Sequence, residues 1–223
     1  MSVKRLAAIT PANEPKLWGL CETYLREEMK DEELEITPFY EDTLLNEIME
    51  HGEMTPEFSR RAFDIYERAA KSSPDAILIE CSTLGDVSRY AKPLYELMGI
   101  PLISLDQPAA DKAVSLGKRI GMIANIHTTL GPSERLLQSC AHAQGKEIEI
   151  VRGYRKAFGM GQEAIKNSIF ESCREIASSV DVIFLAQPSM TAWGNMLQME
   201  LSVPIISTLP YAAKEVKKVL FGK

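Results

Sequence analysis

A thiol and two hydroxyls, Cys81-Ser82-Thr83, stand directly after the apolar run Ile77-Leu78-Ile79. Hydroxyls and backbone N–H groups at a strand-to-helix turn form a concavity that holds a small anion. A thiol in such a place ionises more readily than its reference pKa of ~8.5. A thiolate held against the carbon next to a carboxylate acts as a base or as a nucleophile. Glu80 precedes the thiol, and strand alternation sends it to the opposite face, so it is not assigned as the partner of Cys81. Other groupings are weaker. His51, His127 and His142 are far apart and show no metal-ligand spacing, so neither a metal nor a cofactor is expected. Gly159-Met160-Gly161 is a lone G-x-G, a weak phosphate signal that reads equally as a loop. Thr10-Pro11-Ala12-Asn13 lacks the glycines of a dinucleotide-binding turn. Cys21, Cys140 and Cys173 fall in helical patterns and read as core thiols.

The residues that could do chemistry need elements to hold them. Short apolar runs rich in Val and Ile predict strands over Lys4–Thr10, Leu34–Phe39, Asp75–Cys81, Pro101–Leu105, Arg119–Asn125, Glu147–Arg152, Asp181–Gln187 and Pro204–Leu209. Between them, apolar spacing predicts helices, most clearly over Pro56–Lys71 and Gln162–Ser179. The alternation points to parallel sheets in an α/β protein. The chain also repeats itself. Lys4-Arg5-Leu6-Ala7-Ala8-Ile9 resembles Lys118-Arg119-Ile120-Gly121-Met122-Ile123, Asp75-Ala76-Ile77-Leu78 resembles Asp181-Val182-Ile183-Phe184, and Ile100-Pro101-Leu102-Ile103-Ser104 resembles Val203-Pro204-Ile205-Ile206-Ser207. The expected fold class is therefore α/β with two pseudo-symmetric lobes, each a mostly parallel sheet flanked by helices. Residues 1–105 form the first lobe, joined by a C-terminal helix at 211–223, and residues 106–210 form the second.

Ligands of open parallel sheets bind beyond the carboxyl ends of the strands. With the lobes facing each other, the expected active site is the interlobe cleft. The repeat matches Cys81 with Gln187 and Asn13 with His127. Asn13, Ser82, Thr83, Asn125, Thr128 and Gln187 are the candidate substrate-binding residues, and Cys81 and His127 the candidate catalytic ones. Five of them have a plainer reading. Cys81 fits as a small core residue, Ser82 and Thr83 as helix caps, Asn13 as the cap before Glu14-Pro15, and His127 as a structural histidine. Trp193, in a helical segment from Met190 to Met199, would border the pocket.

Bulk properties narrow the partners. The 223 residues carry a net charge of −6, with 45% apolar and 25% charged residues. Cations are scattered, so nucleic acid is not an expected partner. No apolar run reaches the length of a membrane span, and no secretory leader is visible. Four cysteines without a C-x-x-C pair suit a reducing, cytoplasmic setting.

Cys81-Ser82-Thr83 at one strand end, Ala186-Gln187-Pro188-Ser189 at the matching end, and the duplicated halves resemble the aspartate/glutamate/hydantoin racemase superfamily. That superfamily includes arylmalonate decarboxylase and maleate isomerase. The family's Cys-Asn-Thr motif is similar to Cys81-Ser82-Thr83, its Gly-Cys-Thr motif falls on Ala186-Gln187-Pro188, and the Asn of hydantoin-type members falls on Asn13. The resemblance implies a cofactor-independent racemase or isomerase acting beside the carboxylate of a small acid or amino acid, and a homodimer. Its racemases place one thiol on each face of the substrate carbon. Here Gln187 replaces the second, and an amide cannot relay a proton, so a two-thiol mechanism is not expected. The alternatives are a malonate-type decarboxylase and a non-catalytic protein that binds small carboxylates.

Overall fold

The computed structural model describes residues 3–157 and 159–222. Up to Leu105 the elements are β1 (Lys4–Ile9), α1 (Pro15–Glu28), β2 (Leu34–Phe39), α2 (Leu44–His51), α3 (Pro56–Lys71), β3 (Ala76–Ile79), α4 (Gly85–Leu97) and β4 (Leu102–Ser104). Next come α5 (Gln107–Leu116), β5 (Arg119–Ala124), α6 (His127–Ala143), β6 (Glu149–Tyr154), α7 (Gln162–Ile176), β7 (Val182–Leu185), α8 (Thr191–Glu200) and β8 (Ile205–Ile206), before a last helix, α9 (Leu209–Phe221). Among the described residues there are two four-stranded sheets, ordered β2-β1-β3-β4 and β6-β5-β7-β8. All their pairings are parallel. The chain divides into two compact units, Met1–Leu105 with Leu209–Lys223, and Asp106–Thr208.

In the first unit the two-residue period of the strands sorts their side chains onto two faces. Ala7, Ile9, Ile77 and Ile79 face a core built with Ala62, Ile65, Tyr66 and Ala69 of α3 and Ala91 and Tyr95 of α4. Leu6, Ala76, Leu78 and Ile103 face α1 and α9 through Cys21, Leu25, Leu209, Ala212 and Val216. Burial on both faces explains why these strands read as unbroken apolar runs. The helix boundaries have local causes. Thr55 caps α3 by accepting from Phe58 N at 3.2 Å, and Pro56 supplies its first turn. α9 is tied to α1 by Lys217 Nζ, which donates to Glu28 O at 2.8 Å.

The second unit repeats the pattern, with Ile123, Ile183 and Leu185 packed against Ile169, Phe170, Cys173 and Ile176 of α7. Glycine lets α7 come close, since a Cβ on Gly121 would lie 2.7 Å from Ile176 Cδ1. The repeat extends to individual hydrogen bonds. Asp75 N donates to Arg5 O at 2.8 Å and Asp181 N to Arg119 O at 2.7 Å. Ile77 N donates to Pro101 O and Ile183 N to Pro204 O, both at 2.9 Å. Glu80 N donates to Ile9 O at 2.9 Å and Ala186 N to Ile123 O at 3.0 Å, which makes Cys81 and Gln187 structural counterparts.

Candidate active site

In the first unit, β3 stops at Ile79, and Cys81 sits two residues on, extended at φ −139°, ψ 118°. Its carbonyl accepts from Leu84 N at 3.1 Å, closing a single 3-10 turn over Ser82–Leu84 that feeds α4. Of the four cysteines, Cys81 alone is not fully buried. Ser82 and Thr83 are buried within the turn. Neither is the N-cap of α4, which is Leu84. Thr10, at the end of the neighbouring β1, donates from Oγ1 to Ala12 O at 2.6 Å and accepts from Trp18 Nε1 at 3.0 Å. Trp18 packs against Tyr40, ring centres 4.9 Å apart. Asn13 is exposed in the loop after β1, and the cap of α1 is Glu14.

Glu80 points away from this face, as strand alternation requires, and is 2% exposed. Burial raises its carboxyl to about 8, opposed by a hydrogen bond from Cys21 and helped by the charge of Glu22. The Cys21 thiol is pushed well above its usual range by burial and by Glu80. Glu80 Oε2 has no hydrogen-bond partner. The sequence places Glu80 on the opposite face from Cys81, and the structure adds that it is a buried acid. Its signal in the sequence is a carboxylate closing an otherwise apolar strand.

The second unit ends its strands differently. Gln187 leads into a 3-10 turn, Pro188–Met190, with backbone angles φ −131°, ψ 138° similar to those of Cys81. Its side chain turns back on the sheet. Gln187 Oε1 accepts from Asn125 N at 2.7 Å and Ile126 N at 3.3 Å, bridging the ends of β7 and β5. Asn125 is buried. His127, the first residue of α6, is exposed, with its ring edge-to-face against Tyr154 at 6.1 Å. Thr128 follows it, buried in the first turn of α6. Within the second unit the structure thus brings together Asn125, His127, Thr128 and Gln187. Within the first it brings together Cys81, Ser82 and Thr83, with Asn13 on a separate exposed loop.

Other polar groups are committed elsewhere. Arg61, beside an open depression at the end of β2, is ion-paired with Glu41 and Glu47 and is not a spare carboxylate clamp. Cys140 is buried in α6, accepts from Gln107 Nε2 at 3.1 Å, and has its thiol pushed up by burial and by Asp111. Burial likewise holds Cys173 up at about 12. Both behave as core thiols, not as thiolates. Trp193 packs on the α7 core. Gly159 and Gly161 adopt positive φ in the exposed loop before α7. Among the described residues, no three His, Cys, Asp or Glu side chains gather as a metal site.

Comparison with known proteins agrees with this arrangement. The family model described as Asp/Glu/Hydantoin racemase matches residues 27–216. The chain belongs to the Asp/Glu/hydantoin racemase family. Membership makes it an enzyme of the isomerase and racemase kind. Solved structures share its fold at low identity. A glutamate racemase of Francisella tularensis, in complex with D-glutamate, superposes with a TM-score of 0.72 at 16% identity, covering 98% of this chain and 81% of that one. An allantoin racemase from Klebsiella pneumoniae gives 0.65 at 16%, covering 98% and 87%. A mutant maleate cis-trans isomerase of Nocardia farcinica, carrying a covalently bound succinylcysteine intermediate, gives 0.65 at 14%, covering 98% and 93%. No curated protein sequence matches the chain.

Proposed function

We propose that the protein is a cofactor-independent isomerase or racemase in which Cys81 is the single catalytic thiol, acting on the carbon beside the carboxylate of a small acid or amino acid. One observation carries this reading. The one thiol of four that is not fully buried stands at the carboxyl end of a central parallel strand, ahead of a turn holding two hydroxyls. Cys81 as thiolate takes the α-proton and becomes the thiol, while the electron pair passes into the carboxylate as an enolate. Ser82, Thr83 and the backbone of their turn stabilise that charge. Asn125, Thr128 and Gln187 orient the substrate, and Asn13 borders it.

Gln187 cannot return a proton. Either Cys81 gives its proton back to the same face, or His127 or water delivers one to the other. Exchange of the α-proton with solvent therefore outpaces inversion, in contrast to a two-thiol enzyme. Incubation of amino acids and small acids in deuterated water, read by proton NMR and chiral chromatography, tests this. Cys81→Ala should abolish exchange, and His127→Gln should slow inversion more than exchange. Full exchange by Cys81→Ala refutes the reading. The proposal extends to a cytoplasmic homodimer that does not bind nucleic acid.

A further inference from the structure

One flank of α4 is open. Its inner positions, Ala91 and Tyr95, belong to the core of the first unit. Tyr90, Leu94 and Leu97 are 76%, 48% and 87% exposed, and Met98, just past the helix, is 49% exposed. Spacings of three and four residues align them in one stripe, which the exposed Pro93 joins between Tyr90 and Leu97. The stripe opens about 400 Å² of apolar surface, a size at which patches on single chains are often functional. It does not come with the type of helix. Counted from Cys81 and Gln187, α4 matches α8, and the counterpart of Leu94 is Glu200, ion-paired with Arg174.

The residues around Leu94 are arranged to fit a second copy of themselves. Lys92 and Glu96 stand two residues either side of it, both exposed, and pair with each other only loosely, at 3.9 Å. Tyr90 and Met98 stand four residues either side of it. A two-fold axis beside Leu94 would set a second α4 antiparallel to the first, so that each residue meets the one equally far on the other side. Leu94 then meets its own copy, and Tyr90 meets Met98 in a favourable aromatic–sulfur contact. Lys92 meets Glu96 twice, so loose pairs within each helix are exchanged for pairs between helices. A parallel pairing would instead set Lys92 against Lys92 and Glu96 against Glu96.

We infer that α4 is a homodimer contact, in which two copies of this chain pair antiparallel about Leu94. A stable dimer takes about 800 Å² from each copy, so the stripe is its apolar centre and the charged flank its rim. The inference rests on the homodimer of the proposed reading, to which it gives a surface, and not on the chemistry at Cys81.

Sedimentation velocity on the full-length protein, from about 1 to about 100 μM, tests it. Wild type should dimerise within this range. Leu97→Glu loses an apolar contact and buries a charge on both copies, and should raise the dimer dissociation constant about 100-fold. Lys92→Glu sets like charges against each other and should raise it about tenfold, and adding Glu96→Lys to it should restore the wild-type value. The inference is overturned if wild type is monomeric throughout, if Leu97→Glu dimerises as wild type does, or if the double variant keeps the loss made by Lys92→Glu. Should Leu97→Glu not fold, Tyr90→Ser, at another exposed position of the stripe, must weaken the dimer in its place. A dimer that survives Leu97→Glu overturns this surface and leaves the homodimer standing, whereas a monomeric wild type ends both. Exchange of the α-proton, lost or kept in Cys81→Ala, is a separate readout.

Discussion

Glu80 and Ala186 occupy the same place in the two halves of the repeat, and only one of them titrates. Glu80 is buried on the α1 face, where Cys21 hydrogen-bonds it and Glu22 adds negative charge. With its folded value raised to about 8 from 4.5, the fold favours the neutral acid. That stability is fully present below the unfolded value and is lost as pH rises through the folded one. The slope reaches at most about 1.4 kcal/mol per pH unit. Urea unfolding at pH 5, 6.5 and 8 should show wild type weakening across this window. Glu80→Gln, neutral at every pH, should be flatter by that amount, and parallel curves for the two proteins would refute the assignment. At this scale the sequence was legible in part. Cys81 could be picked out because a polar cluster ended an apolar run. The bond from Gln187 to Asn125 could not, because the partners are 62 residues apart and nothing local announces it. Nor could the exposure of His127, which depends on how the start of α6 is turned.

Elements were easier to read than residues, for a physical reason. A strand covered on both faces must be apolar throughout, as β3 and β7 are; β2 and β6 are partly exposed and carry polar residues, and all eight expected runs contain strands. The ends shifted. The segment expected to reach from Asp75 to Cys81 pairs only over Ala76–Ile79, since the residues beyond turn into the helix instead of continuing the ladder. α3 matched its expected limits because Thr55 and Pro56 mark its start chemically. Asp181 shows how an element is fixed from outside it. Its Oδ2 accepts from Lys118 N and Arg119 N, both at 2.8 Å, pinning the start of β7 to the start of β5. These backbone bonds also lower the Asp181 carboxyl. So close a seat requires glycine before it, since a Cβ on Gly117 would lie 2.3 Å from Asp181 Cβ. Gly117→Ala must push Asp181 off its two donors and should destabilise the protein by about 1–3 kcal/mol. Thermal unfolding measures it. A Tm unchanged from wild type would show that the strand starts move apart without loss.

The two units differ as stretches of chain, and this has a consequence for the whole molecule. The second, Asp106–Thr208, is one continuous stretch, while the first needs Leu209–Lys223 as well. The α1 face of the first sheet is covered by Leu209, Ala212, Ala213, Val216 and Leu220 of α9, against Leu6, Leu25, Leu78 and Ile103. Fully burying one aliphatic side chain is worth about 1.5–3 kcal/mol. Stopping the chain after Thr208 removes three such side chains and two alanines together with the Lys217 tie to Glu28. The loss is comparable to the whole stability of a small domain. It should fall on one side of the repeat. Amide hydrogen exchange should find β1, β3 and β4 deprotected, and β5 and β7 with their full-length protection, because every strand and helix of the second core lies before residue 209. Equal loss in both sheets would mean that the halves fold as one cooperative body. Loss confined to the first would make α9 the element on which the Cys81 turn depends, because β3 holds that turn and α9 covers β3 through Ala76 and Leu78.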